Sequence, residues 1–184
     1  MIATRAPTVE EFLREPGSDR SESVLGERIE KTGPNGPHSD AQVILAAALL
    51  DFGRGTGMGK PRTEWHHRFG PPGDIRIYVP DLVFLLAPRH LQTPDYADRA
   101  SDLMVEIVSP NDSASDLVDK VEFYLQNGVR SVWIVDPSRR RIDIYKPGRG
   151  RRRDHPRREL SRPKHPVGRP FAAGFPGEDL EDRR

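Results

Sequence analysis

Cysteine is absent from this 184-residue sequence. Disulfide frameworks and thiolate metal sites are therefore excluded, and any metal must be held by carboxylates, histidines, carbonyls or water, which favours a hard ion. Long apolar runs are missing too. No stretch approaches the roughly 20 apolar residues that a membrane span requires, and the first fourteen residues mix Arg5, Glu10, Glu11 and Arg14 with few apolar side chains. A cytoplasmic location and no membrane partner are expected. Nor is there a serine, histidine and aspartate pattern distinguishable from chance. His66 and His67 are adjacent, so in a strand they point to opposite faces and do not share a metal.

Charge of one sign is also lacking overall, with a formal net of +1, but the balance is uneven. Residues 149–184 carry 11 Lys/Arg and 6 Asp/Glu, which leaves residues 1–148 at −4. An acidic body counts against a nucleic-acid partner unless its carboxylates hold a cation that reverses the charge a phosphate meets. The expected organisation is one domain over residues 1–148, large enough for a real core, followed by an Arg/Pro/Gly-rich tail at 149–184 with too little apolar surface to order itself.

Along the domain, Thr8 and Glu11 form a capping-box pattern at the start of a short helix. Residues 21–31 suit a hairpin about Gly26. The run AQVILAAALLDF predicts a buried helix with Ser39 or Asp40 as N-cap and Gly53 as its stop. The segment GRGTGMGK invites a phosphate-loop reading, yet Arg54 stands where the first glycine belongs and Pro61 where a hydroxyl is needed, so a flexible turn is expected. From Asp74 the pattern turns to β: DIRIYV, PDLVFLL, DLMVEIVS, RSVWIVD and RRRIDIY read as strands. An amphipathic helix, SASDLVDKVEFYLQNG, lies between the third and fourth, capped by Ser113 or Ser115 and ended by Gly128. The order predicts an α/β fold, a mixed central sheet flanked by helices.

Three positions carry the chemistry. Glu106 lies inside Leu103-Met104-Val105-Glu106-Ile107-Val108, where an ionised carboxylate is costly without a cation, a hydrogen-bond donor or a metal; an internal salt bridge would satisfy it equally. Asp81 follows Pro80 at the head of LVFLL. If the two strands pair, both carboxylates come within reach of one ion, and two carboxylates plus water are the usual protein share of a magnesium site; a turn residue after proline is the plain alternative for Asp81. Asp116, Lys120 and Tyr124 recur at spacings of four along one helical face, beside the apolar Leu117, Val121 and Leu125. Lys120 could reach the carboxylates, or simply pair with Asp116 on the surface.

Pro80-Asp81, Met104 to Pro110, Asp116, Lys120, Tyr124, Gly128-Val129 and Val132 to Pro137 together resemble the Uma-type family of restriction endonucleases within the PD-(D/E)XK nuclease superfamily. The resemblance covers about residues 8–147. It implies a restriction-endonuclease-like fold and an endonuclease that hydrolyses DNA phosphodiester bonds with Mg²⁺ or Mn²⁺. Asp81 and Glu106 then correspond to the metal-binding acids. Val108 occupies the place of the superfamily lysine, and Lys120 matches the families in which that lysine has moved to the following helix. Glu22, Gly26 and Glu27 resemble the family's hairpin, with Ser21 at an often aromatic place, making Glu22 an auxiliary acid alongside Tyr124; His38 fits the loop before the helix. The tail does not resemble the family's closing strands. The alternative to a nuclease is a catalytically inactive nuclease fold kept as an interaction module, in which Glu106 and Lys120 merely pair. RNA is an alternative substrate, and a homodimer would suit cleavage of both strands of a duplex.

Overall fold

A computed structural model describes residues 8–31, 33–71, 74–87 and 95–154, with side chains up to Gly148. The elements run α1 (Val9–Leu13), β1 (Ser21–Val24), β2 (Glu27–Glu30), α2 (Gly36–Thr56), β3 (Gly59–Thr63), β4 (His67–Phe69), β5 (Arg76–Tyr78), β6 (Leu82–Leu86), β7 (Leu103–Ile107), α3 (Ala114–Gln126), β8 (Ser131–Asp136), β9 (Arg141–Lys146) and β10 (Arg149–Asp154), with a 3-10 turn at Ser18–Arg20. None of the helices among the described residues is long and apolar enough to cross a membrane.

The strands form two sheets. The larger has six strands in the order β10-β9-β8-β7-β6-β3, and the smaller has four, β2-β1-β5-β4. In the larger sheet β7 and β8 are parallel, as a crossover through α3 requires, and the other pairs are antiparallel. Its alternation sorts side chains into two cores. Leu82, Phe84, Leu103, Val105 and Ile107 pack with Leu45 and Leu49 of α2. Val83, Met104, Val132 and Ile134 face the other way, onto Val121 and Tyr124 of α3 and Tyr78 of the small sheet. Asp81 and Glu106 continue that second face by the period of two.

The capping box at Thr8 forms as the spacing predicts, with Glu11 N donating to Thr8 Oγ1 at 3.2 Å and Thr8 N to Glu11 Oε2 at 2.8 Å. So does the hairpin, whose turn residues Leu25 and Gly26 both have positive φ. Helix α3 begins after Ser113, and Gly128 follows its C-cap at φ +93°.

Helix α2 departs from expectation in three ways. It starts earlier, where the Asn35 side chain accepts from His38 N at 2.9 Å and Pro37 sits in the first turn, displacing Ser39 and Asp40 as caps. It ends later, at Gly57 with φ +67°, so Gly53 is internal. There a Cβ would stand 2.3 Å from Gly59 O, so glycine serves close approach to β3 instead of a stop. Nor is α2 buried all round: it turns one stripe to the sheet and leaves Val43 68% and Ile44 48% exposed. An almost wholly apolar run gives no polar face from which that orientation can be read. The GRGTGMGK segment is the end of α2 and the start of β3, which pairs along its length with β6.

Strand β10 pairs antiparallel with β9 and carries the sheet through Asp154, six residues beyond the expected boundary at 148. The rest of the segment set apart as a tail lies outside the described residues.

Candidate active site

The two acids meet where the sheets join. Strands β6 and β7 pair with Leu82 opposite Val105, so extending the register by one residue sets Asp81 across from Glu106. Asp81 Oδ2 accepts from the backbone N of Ile107 at 2.7 Å, which locks the head of β6 to the end of β7. Asp81 also lies just past β5, and so at the hinge between the small sheet and the large one.

The small sheet brings a third carboxylate and a cation. Glu22 of β1 is buried and accepts from Val79 N at 3.0 Å. Lys31, directly after β2, donates to Asp81 Oδ1 at 2.8 Å and to Val79 O at 2.6 Å. From the first turn of α2, His38 Nε2 stands 3.3 Å from Asp81 Oδ2, while its Nδ1 has no hydrogen-bond partner among the described residues. Helix α3 supplies the rest. Tyr124 OH donates to Glu106 Oε1 at 2.7 Å. Lys120 Nζ lies 2.9 Å from Glu22 and 3.7 Å from Glu106 Oε2. The plain alternative for Lys120, a surface pair with Asp116, does not form: Lys120 turns inward, and Asp116 accepts from Ser115 Oγ at 3.4 Å.

Asp81, Glu106, Lys120 and Glu22, all expected site residues, thus line one cavity of about 330 Å³, and Tyr124 holds Glu106 from beneath. Lys31 is the residue that sequence reasoning missed. Its one sequence signal is a cation closing a hairpin in which three glutamates outnumber Arg28, which a solvated surface lysine would give as well. His66 and His67 serve the core. His66 Nε2 contacts Ser18 O at 3.0 Å, and His67 bridges Trp65 O and Ser101 Oγ at 2.8 and 2.7 Å.

Electrostatics separate the two acids. Burial pushes Glu106 up, and the neighbouring Asp81 and Glu22 add to this against the pull of Lys120, leaving it at about 7. Burial also acts to raise Asp81, but His38, Lys31 and the Ile107 amide outweigh it and hold it at about 2. Burial draws Lys31 and Lys120 down, and the carboxylates around each more than reverse this, keeping both ammonium groups charged.

The donor set suits a hard divalent cation. Among the described residues, Glu106 Oε2 has no hydrogen bond or ion pair closer than the 3.7 Å approach of Lys120, and the cavity has room for waters. No three aspartate, glutamate or histidine side chains among the described residues form a ready cage. The fit is therefore to an ion held by two carboxylates and water, as magnesium commonly is.

The sequence profile of a family named Uma2, described as "Putative restriction endonuclease", matches residues 9–172, further along the chain than the resemblance in the motifs extends. The crystal structure of a protein from Anabaena variabilis ATCC 29413, described as a putative nuclease belonging to DUF820, is similar in fold, with a TM-score of 0.71 and 25% sequence identity over 85% of this chain and 89% of that one. No curated protein matches the sequence.

Proposed function

The chain belongs to the Uma2 family and has the restriction-endonuclease-like fold, and on that footing we propose that it is a divalent-metal-dependent endonuclease that hydrolyses DNA phosphodiester bonds. The observation that carries the reading is the convergence of Asp81 and Glu106 from paired strands, and Lys120 from α3, on one open cavity. Three buried carboxylates and two largely covered lysines around a single space are the kind of charge cluster that marks functional sites.

Asp81 and Glu106 would hold Mg²⁺ or Mn²⁺. Bound there, such an ion supplies a water of lowered pKa and draws charge from the phosphoryl oxygen. The chain's own groups do the positioning. The Ile107 amide and the Tyr124 hydroxyl fix one oxygen of each acid, leaving Glu106 Oε2 and, if Lys31 withdraws, Asp81 Oδ1 to take the ion. Lys120, held between Glu22 and Glu106, offers an ammonium to the charge that grows on the phosphate as the P–O bond breaks. Glu22 would orient Lys120 through their 2.9 Å ion pair.

One observation favours the rival, an inactive interaction module: Lys31 and Lys120 already pair with the acids. The deciding experiment is cleavage of plasmid, single-stranded DNA and RNA in Mg²⁺ or Mn²⁺, alongside Asp81→Asn, Glu106→Gln and Lys120→Ala. Cleavage of DNA lost with chelator and with each variant supports the nuclease. Folded protein that cuts nothing, or cuts equally well without Glu106, refutes it.

A further inference from the structure

Lys31 makes one contact that the hydrolytic reading does not use. Its ammonium spans two partners, Asp81 Oδ1 and the carbonyl of Val79, both within 2.8 Å. It is only 21% exposed, Asp81 is 7% exposed, and the pair sits inside the cavity and not on the surface. Asp81 carries Lys31 on one oxygen and His38 with the Ile107 amide on the other. Three of the roughly four acceptor positions of a carboxylate are thereby filled, two of them by cationic or potentially cationic groups. A divalent ion that needs a direct bond to Asp81 must compete with them. Lys31 is the competitor best placed to be displaced. It lies at the end of a long side chain and at the end of β2, an exposed edge strand, whereas the Ile107 amide is fixed by the large sheet.

We infer that Lys31 is a built-in counter-cation which occupies the metal-binding side of Asp81, stabilises the metal-free site, and is displaced when a divalent ion binds, so that it lowers and thereby sets metal affinity. This rests on the reading of Asp81 as a metal ligand. The displaced ammonium stays beside the cavity, where the phosphate oxygens of a bound strand would join Glu22 and Glu106, which already attract it, as anionic partners. Lys31 therefore couples metal occupancy to the arrival of an acidic substrate: phosphate rewards the lysine for leaving Asp81.

The test is Mn²⁺ binding by isothermal titration calorimetry on the full chain, with melting temperature in EDTA as a second readout. The variants are Lys31→Met, Lys31→Arg, Asp81→Asn and, as a control for net charge, the exposed Lys60→Met on β3. Expected is Mn²⁺ binding tightened about tenfold or more in Lys31→Met, corresponding to one ion pair of roughly 1.4 kcal/mol, with a lower melting temperature in EDTA. Lys31→Arg, which keeps the charge, stays near the wild type, and Lys60→Met moves affinity less than about twofold. Unchanged or weaker binding in Lys31→Met, while Asp81→Asn abolishes binding, overturns the counter-cation and leaves the metal site standing. Equal tightening in Lys60→Met reduces the effect to net charge and also overturns it. Wild type and Asp81→Asn binding alike, or no binding by any variant, removes the metal-site reading and the counter-cation with it.

Discussion

Replacing Lys120 with methionine removes the cation that, among the described residues, bridges Glu22 and Glu106, and the structure sets both the size and the pH profile of the loss. At 2.9 and 3.7 Å the two attractions amount to about 6 and about 4 kcal/mol at an effective dielectric near 20, before desolvation offsets most of each. Glu106 has an escape that limits the net cost. Its folded pKa is raised, to about 7, so the stability it contributes is full below its unfolded value near 4.5 and is lost as pH rises through the folded value. At pH 5.5 Glu106 is protonated with or without Lys120, and the variant loses only the Glu22 pair, about 1–2 kcal/mol. Above about pH 7 the wild type ionises Glu106 beside Lys120, whereas the variant must keep the proton. The gap then widens by about 1.4 kcal/mol per pH unit, reaching about 3 kcal/mol near pH 8. Urea unfolding followed by circular dichroism from pH 5.5 to 8.5 measures this directly. In a Glu106→Gln background the widening should vanish while the Glu22 component remains. A difference between Lys120→Met and wild type that is negligible or flat across the range would refute the account of Lys120 as the shared counter-ion.

Other expectations concern the scaffold. His67 is buried and held neutral, its pKa lowered by burial to about 4, so stability that is full above pH 6.5 falls as pH drops through 4, by about 3 kcal/mol at most; an imidazole NMR titration with a midpoint near 6.5 would contradict this. Gly53→Ala should destabilise by about 2 kcal/mol or more, because a Cβ would press on backbone of β3 that has no rotamer to adjust; an unchanged melting temperature would mean that α2 can shift freely. Leu25 is 67% exposed and has φ +53° in a two-residue turn before Gly26, so Leu25→Asn should raise stability by about 0.5–1 kcal/mol, read as an increase in melting temperature.

The legible parts of the fold are those whose signal is local. A Thr-x-x-Glu box, Ser113 and Gly128 around an amphipathic stretch, and five strands of β-branched residues each declare themselves within a dozen positions. Strand β3, Gly-Lys-Pro-Arg-Thr, has neither propensity nor alternation; it is a strand because β6 pairs with it. The division into two sheets is hidden for the same reason, since it depends on β1 pairing with β5 across some fifty intervening residues, with Ser23 opposite Ile77. Within the site, Glu106 stands out because a carboxylate in a doubly buried strand must be explained, and Asp81 because it opens the neighbouring strand. Lys120 could be placed at a helical border but not turned inward, as surface and inward rotamers have the same sequence. Lys31 offered no such anomaly. Its importance comes entirely from where the hairpin docks.

That docking gives the ion pairs a second role. Glu22 and Lys31 come from the four-stranded sheet, Glu106 from the six-stranded sheet, Lys120 from the helix between β7 and β8, and Asp81 from the joint. The same contacts that would prepare a phosphate-cleaving centre also clasp the two halves of the molecule. Mutations here cannot be sorted simply into those that harm folding and those that harm chemistry. A survey scoring only cellular abundance, blind to activity, should still mark out Glu22, Asp81 and Lys120, and an evolving lineage that gave up cleavage would have reason to retain them.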